Sequence, residues 1–358
     1  MSNAFTRRLG IDHPLLLAPM AGETAKPALT IAVSNAGALG AIGMAYMAPQ
    51  VIRDNIRAIR AGTDRPFHVN LFAPTQWKAD PDKIAAYRKQ LGGAHDTLGL
   101  GAPDLPNTYE ESFEAQFAVV LEEAPAVFSF TFGMPSPEQI AALKSRNILS
   151  IGTATTVAEA RALEALGVDA IAAQGSEAGG HRGSFLDSVE HSLVGTMALV
   201  PQIVSAVKLP VIAAGGIGDG RGVAAALCLG ASAVALGTSF LLAEEIGLSA
   251  GYKALLQTEQ AEKTALTRAF SGRHARGIRN GFLDHMASRD AEIPDFPVAN
   301  AMSKAMRATA SKNSKTDYQS LWAGQAARLA RPEPAAAIVT RIMAEARQVL
   351  DATAKGAL

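Results

Sequence analysis

Short apolar runs alternate along this chain with longer stretches in which alanine, leucine and isoleucine recur at helical spacing. The apolar runs are Leu15–Met20, Gly37–Gly43, Phe67–Ala73, Val127–Gly133, Ile148–Thr153, Ala170–Gly175, Val211–Gly216 and Val234–Leu241. They lack strict apolar–polar alternation, as parallel strands buried on both faces do. Helices are predicted at Lys26–Asn35 and Ala48–Ala61 after the first two runs. Ser136–Ser145 follows the fourth, with Ser136 as its cap and Glu138 in its first turn. Thr156–Leu166 ends at Gly167, and His191–Val207, Arg221–Leu229 and Ser249–Thr258 follow the last three runs. Eight strand–helix units over about 250 residues predict a (β/α)8 barrel, the TIM-barrel architecture. The alternative is an open doubly wound sheet, which announces a dinucleotide by G-x-G-x-x-G after its first strand. Here that strand ends in Pro19-Met20-Ala21-Gly22, and Gly216-Ile217-Gly218-Asp219-Gly220 has the wrong spacing.

Two segments fall outside the rhythm. Residues 75–113 are polar and broken up by Asp80-Pro81, Gly92-Gly93 and Pro103–Pro106, and residues 263–358 carry helical patterns but no strong strand. The expected division is a ligand-binding barrel of residues 1–74 and 114–262, with 75–113 and 263–358 as a helical cap on the substrate side. Long insertions of this kind are usually functional, and ligand sites favour domain interfaces; peripheral packing is the plainer reading.

Composition narrows the partners. Of 358 residues 48% are hydrophobic, and Lys+Arg and Asp+Glu both number 33. A zero net charge without a basic run disfavours nucleic acid and anionic membranes. Cys228 is the only cysteine, so no intrachain disulfide or cysteine-rich metal site is expected, and no metal. It sits in the apolar helix Val223–Gly230, where a buried, inert thiol is expected. Met1–Gly10 lacks a signal-peptide core, and no apolar run reaches about 18 residues. A cytoplasmic protein is expected, with no membrane partner and a homodimer as the assembly to test.

The chemistry should lie where the barrel strands end. The sixth strand runs into Gln174-Gly175-Ser176-Glu177-Ala178-Gly179-Gly180-His181-Arg182-Gly183. Glycines let backbone approach a ligand closely, and histidine exchanges protons near neutrality. A turn with a surface histidine is the bland alternative. Gly215-Gly216 closes the seventh strand and Ala235-Leu236-Gly237-Thr238 the eighth. Loops at those two positions frequently bind phosphate through backbone amides. Asn70 and Gln174 suit a ring bearing carbonyl and N–H groups, and Ala18-Pro19-Met20 could lie along it. A phosphate-tailed planar cofactor without a dinucleotide fingerprint points to FMN.

The ordered set Phe5–Ile11, Ala18–Met20, Ala32–Gly37, Pro66–Phe72, Ala173–Gly183, Pro210–Gly222, Gly230–Phe240 and Leu321–Gln325 resembles the bacterial class I nitronate monooxygenases, formerly 2-nitropropane dioxygenases. The resemblance implies an FMN-holding (β/α)8 barrel that oxidises alkyl nitronates, such as propionate 3-nitronate, with O2 to carbonyl compounds and nitrite. It implies FMN contacts at Asn70, Gln174, Gly179, Gly180, Gly215, Gly216 and Ala235–Thr238, with more from Ser271, Arg273 and Ala275-Arg276. His181 matches the catalytic histidine. As imidazolium it would neutralise the nitronate; as imidazole it would deprotonate a nitroalkane. Holding its loop is the plainer role.

The substrate pocket departs from the type. Thr131, in Ser129-Phe130-Thr131-Phe132-Gly133, stands where the type has a second histidine, and Phe296 and Asn300 replace two tyrosines. Tyr109 and Lys304 match pocket residues, with a packing role for Tyr109 and a solvated helix position for Lys304 as alternatives. Two other functions fit the same residues: an NAD(P)H-dependent flavin reductase of quinones or enoyl thioesters, and a non-catalytic FMN-binding protein.

Overall fold

The computed structural model describes residues 1–24 and 26–356. Its strands are β1 (Leu15–Leu17), β2 (Gly40–Gly43), β3 (Phe67–Phe72), β4 (Val127–Thr131), β5 (Leu149–Ala154), β6 (Ala170–Gln174), β7 (Gly180–His181), β8 (Val211–Ala214), β9 (Ala233–Leu236), β10 (Thr264–Thr267) and β11 (Ala275–Ile278). Eight of them form a parallel sheet in the order β1-β9-β8-β6-β5-β4-β3-β2. The Leu17 N–H donates to the Leu39 carbonyl at 2.9 Å and the Leu39 N–H to the Leu15 carbonyl at 3.0 Å. Those bonds join β1 to the approach of β2 and close the barrel, so the (β/α)8 expectation holds. All eight apolar runs supply barrel strands. Six of the strands, all but β2 and β5, are shorter than the runs at their C-terminal ends, where the last residues leave the sheet to line the mouth.

Alternation along each strand decides what the barrel encloses. At the N-terminal end, Leu16, Leu39, Val127, Ile151, Ala170, Ile212 and Ala233 pack with Phe5, Leu9 and Ile11. The helix Ala4–Leu9 therefore plugs that end, held by an Asn3–Thr6 capping box. Higher inside the barrel the inward residues shrink to Ala18, Ala172, Ala214 and Ala235, all only half-buried. Small side chains there leave a cavity open to the C-terminal mouth.

Three local expectations are corrected. Gly92-Gly93 does not break the chain: the helix Pro81–Leu98 runs through it. Each glycine costs about 1 kcal/mol in a helix, but Asp80 caps the first turn and Tyr87, Leu91, Ala94 and His95 are buried, which outweighs propensity. The tail does contain strands, since β10 and β11 form a hairpin that pairs with β7. Cys228 is exposed rather than buried; it ends the helix Gly220–Cys228, whose buried residues are Gly220, Val223, Ala224 and Ala226.

Tyr87, Leu91 and Ala94 pack with Ala269, Phe270, Phe282, Met302 and Met306 in a hydrophobic cluster apart from the barrel. The last helix, Ala335–Ala354, instead buries Ile338, Val339, Ile342 and Met343 in the barrel's main core. Among the described residues no helix is long and apolar enough to cross a membrane.

Candidate active site

The turn after β6 is built around the two ends of one amide. Gln174 Nε2 donates to the His181 carbonyl at 3.0 Å, and Gln174 Oε1 accepts from the Gly183 N–H at 2.8 Å. Arg182, fully buried, donates to the carbonyls of Gly175 and Ser192 at 2.7 and 2.9 Å. The glycine loop is thus a fixed scaffold that carries His181 back as β7, paired to Ala275 of β11. Gln174, expected at the cofactor, makes one bond to this loop from each end of its amide and keeps a second N–H and a second lone pair.

His181 is enclosed by rings. Centroids of Phe132, Trp322, Phe296 and Phe72 lie 5.5, 5.6, 6.1 and 6.2 Å from the imidazole. Burial, then the charges of Arg273 and Arg307, push its pKa down to about 3. His181 Nε2 lies 2.8 Å from Ser271 Oγ, and that hydroxyl donates to the Arg273 carbonyl at 3.0 Å. With its proton committed, Ser271 accepts from His181, so the network assigns the proton to Nε2 and the lone pair to Nδ1. The imidazole is neutral in these surroundings. The nearby positive charges are those of Arg273 and Arg307.

Ser271 and Arg273, expected at the cofactor, are placed against His181. The Arg273 guanidinium lies 4.1 Å over the Phe132 ring and donates to the Ser184 carbonyl. Arg307 donates to the Asn300 carbonyl and Oδ1 at 2.8 and 3.0 Å and to Ser303 Oγ at 3.0 Å. Asn300 therefore holds a guanidinium where the resembling type has a tyrosine. Phe296 lies in the aromatic wall, and Thr131 Oγ1 faces Thr153 Oγ1 at 3.4 Å. Tyr109 stands apart from these, its ring 5.6 Å from Trp77. Lys304 is exposed at the start of the helix Lys304–Lys312.

The glycine turns close neighbouring strand ends of the same mouth, β8 lying beside β6 in the sheet. Gly215 and Gly216 adopt φ of +103° and +71°, and Gly180 +74°, a region that favours glycine. A Cβ added at Gly180 would meet nothing within 4 Å. At Gly237 it would meet only Ala18 Cβ at 3.4 Å and Met20 sulfur at 4.0 Å, so β1's end and β9's end converge there. Thr238 Oγ1 accepts from the Gly324 N–H at 3.0 Å, and the Gln325 N–H donates to the Glu177 carbonyl at 3.0 Å. The segment Leu321–Gln325 thus spans from the turn after β9 to the loop after β6. Asn70, 3% exposed, donates through Nδ2 to Ser129 Oγ at 2.7 Å inside the barrel. A roomy interior of alanines, the open positions at Gly180 and Gly237 and an interior amide fit a planar, phosphate-bearing cofactor.

Five contributors escaped the sequence reading. Phe72 and Phe132 lay in strand ends read only for their polar neighbours, and Trp322 in a run quoted only for resemblance. Phe132 also has φ of +81°, a strained conformation for a bulky residue that aims its ring at His181. Tyr46, packed edge-on to Phe72 at 5.4 Å, and Arg307 carried no sequence signal.

Comparison with known proteins agrees with this geometry. The family described as nitronate monooxygenase matches residues 3–345. A probable nitronate monooxygenase of Staphylococcus aureus strain Newman is 41% identical over 349 residues, covering 97% of this chain and 98% of its own. Among solved structures, nitroalkane oxidase from Streptomyces ansochromogenes is similar with a TM-score of 0.90 and 37% identity, over 97% of this chain and 100% of that one. FabK from Thermotoga maritima is similar at a TM-score of 0.79 and 30% identity, with both chains fully covered. The chain belongs to the nitronate monooxygenase family.

Proposed function

We propose that this flavin-dependent oxidoreductase uses FMN and oxidises small alkyl nitronates with O2 to carbonyl compounds and nitrite. The observation that carries the reading is His181, enclosed by Phe72, Phe132, Phe296 and Trp322 and held by Ser271, at the same barrel mouth as the glycine-closed ends of β8 and β9. The turns of Gly215–Gly216 and Ala235–Thr238 would hold the phosphate. Ala18, Pro19, Met20 and Asn70 would line the ring, and Gly179 and Gly180 would border it. A bound flavin supplies the electron transfer between substrate and O2.

The chain's own residues do the rest. Arg273 and Arg307 offset the negative charge of a nitronate. His181 Nδ1 accepts a proton from a neutral nitroalkane, while Ser271 holds the ring through Nε2. Phe72, Phe132, Phe296 and Trp322 exclude water, which strengthens those electrostatic effects. The cluster joining the segment 81–98 to residues 269–306 forms the substrate-side cap, and the last helix goes with the barrel.

The second reading is reduction by NAD(P)H, which a neutral histidine beside a flavin would also serve. Anaerobic mixing of the flavin-loaded protein with propionate 3-nitronate, and separately with NADH, separates the two. Bleaching of the flavin absorbance by the nitronate and not by NADH is expected. The opposite pattern transfers the assignment to the reductase.

A further inference from the structure

His68, Asn70 and Phe72 alternate along β3 onto the face that looks into the barrel. Asn70 and Phe72 belong to the site described above. His68 does not, and it is 3% exposed with neither ring nitrogen hydrogen-bonded to protein. Burial alone pushes its pKa down to about 3, so it is neutral, with one N–H and one lone pair. Its register partners on the neighbouring strands are Ala41 and Val127, and the barrel's plugged end is lined by Leu16, Leu39 and Ile151. None of these side chains can accept or donate. A buried polar group left unmade costs about 1–3 kcal/mol, and native interiors satisfy such groups with protein or ordered water.

The next polar groups along the interior face are Asn70 and Ser129, themselves joined at 2.7 Å. Strand residues two apart are separated by about 7 Å, which leaves room for one water between the imidazole and that pair. Ala172 and Ala235 are inward-facing and half-buried, so the interior is not filled by side chains. Ser129 accepts from Asn70 and keeps a hydroxyl proton to donate. A water below it would accept that hydrogen bond and reach the His68 ring.

We propose that His68 is a positioning residue whose ring, through one buried water, locks the Ser129 hydroxyl and so fixes the orientation in which Asn70 presents its amide to the cofactor ring. The inference rests on the flavin reading above. Without His68, Ser129 is free to turn its hydroxyl, and the Asn70 amide loses the partner that distinguishes its two ends.

The test compares His68→Leu, which fills the space without hydrogen bonding, and His68→Gln, which retains it. FMN affinity is measured by fluorescence titration of the apoprotein, and the bound flavin's absorption spectrum is recorded. His68→Leu is expected to bind FMN about tenfold more weakly with a shifted spectrum, and His68→Gln to stay within about twofold of wild type. Wild-type affinity and spectrum in His68→Leu would overturn the proposal, as would equal weakening in both variants. Should His68→Leu not fold, nitrogen-15 shifts of the wild-type His68 ring are compared before and after FMN loading. A changed shift supports the water link, and an unchanged one overturns it. A wild-type protein that takes up no FMN would instead refute the flavin reading itself.

Discussion

Gly179 and Gly180 are adjacent, and alanine should be costly at each for a different reason. At Gly179 an added Cβ would run into the Gly324 amide nitrogen and lie 2.6 Å from the Ala323 carbonyl carbon. Both obstacles are backbone, so the segment Leu321–Gln325 must retreat. Retreat breaks the bonds from the Gly324 N–H to Thr238 and from the Gln325 N–H to Glu177. Two hydrogen bonds at about 1 kcal/mol each, with about 1 kcal/mol of overpacking, give about 3 kcal/mol. At Gly180 there is open space, and the cost is that of a left-handed alanine, about 1 kcal/mol. Equilibrium urea unfolding of Gly179→Ala and Gly180→Ala at matched flavin saturation measures both. Trp322 fluorescence should also change in Gly179→Ala, because that ring sits in the displaced segment. A Gly180→Ala cost equal to or above that of Gly179→Ala would refute the steric argument.

His181→Asn should lower turnover about 10²–10⁴-fold while flavin stays bound, checked by steady-state kinetics and flavin absorbance. Stability should fall in acid. His68 and His181 have folded pKa values of about 3, below the ordinary 6.5. Their contribution is therefore complete above the unfolded value and is lost as pH falls from 6.5 towards 3. At pH 5 each loses about 2 kcal/mol relative to neutral pH, so urea unfolding at the two pH values should show the drop, and His68→Gln should remove about half of it. Gly92→Ala and Gly93→Ala should each stabilise by about 0.5–1 kcal/mol, because an added Cβ meets nothing within 4 Å at either position; thermal melts decide. Phe296 and Thr131 bring no strong donor to the pocket, so preference for propionate 3-nitronate over propyl nitronate, read as kcat/KM, should be weaker than in a tyrosine-bearing enzyme assayed alongside.

The barrel was legible because its evidence is local. Eight apolar runs bounded by glycines and helix starts are constraints each segment carries alone. The glycine turn after β8 was legible for the same reason, since the positive φ of Gly215 and Gly216 leaves its mark on residue type. The hairpin of β10 and β11 was not, because Thr264–Thr267 is half-buried throughout and shows no alternation. Gly92-Gly93 misled because propensity is a weak prior beside a buried helix face. What sequence could not supply was convergence. Trp322 and Arg307 act on His181 from far along the chain, and the bonds by which the Gln174 amide holds its own loop carry no mark in the sequence.

The placement of Trp322 has a consequence for how the protein is made. Ribosomes deliver the chain from its N-terminus at about 5–20 residues per second, and the last barrel strand is complete at Leu236. At that moment the glycine turn after β8 has left the peptidyl-transferase centre and the turn after β9 is next to be made. Ser271, Phe296 and Trp322, which hold and enclose His181, have not yet been synthesised. Neither has the helix Ala335–Ala354, whose Glu345 side chain accepts from the Gly220 N–H. A nascent barrel therefore waits with an uncovered mouth and an unfinished wall until nearly the whole message has been read. Chaperones meeting the growing chain would find that mouth open, and cofactor loading in the cell becomes a late event rather than a seed for folding.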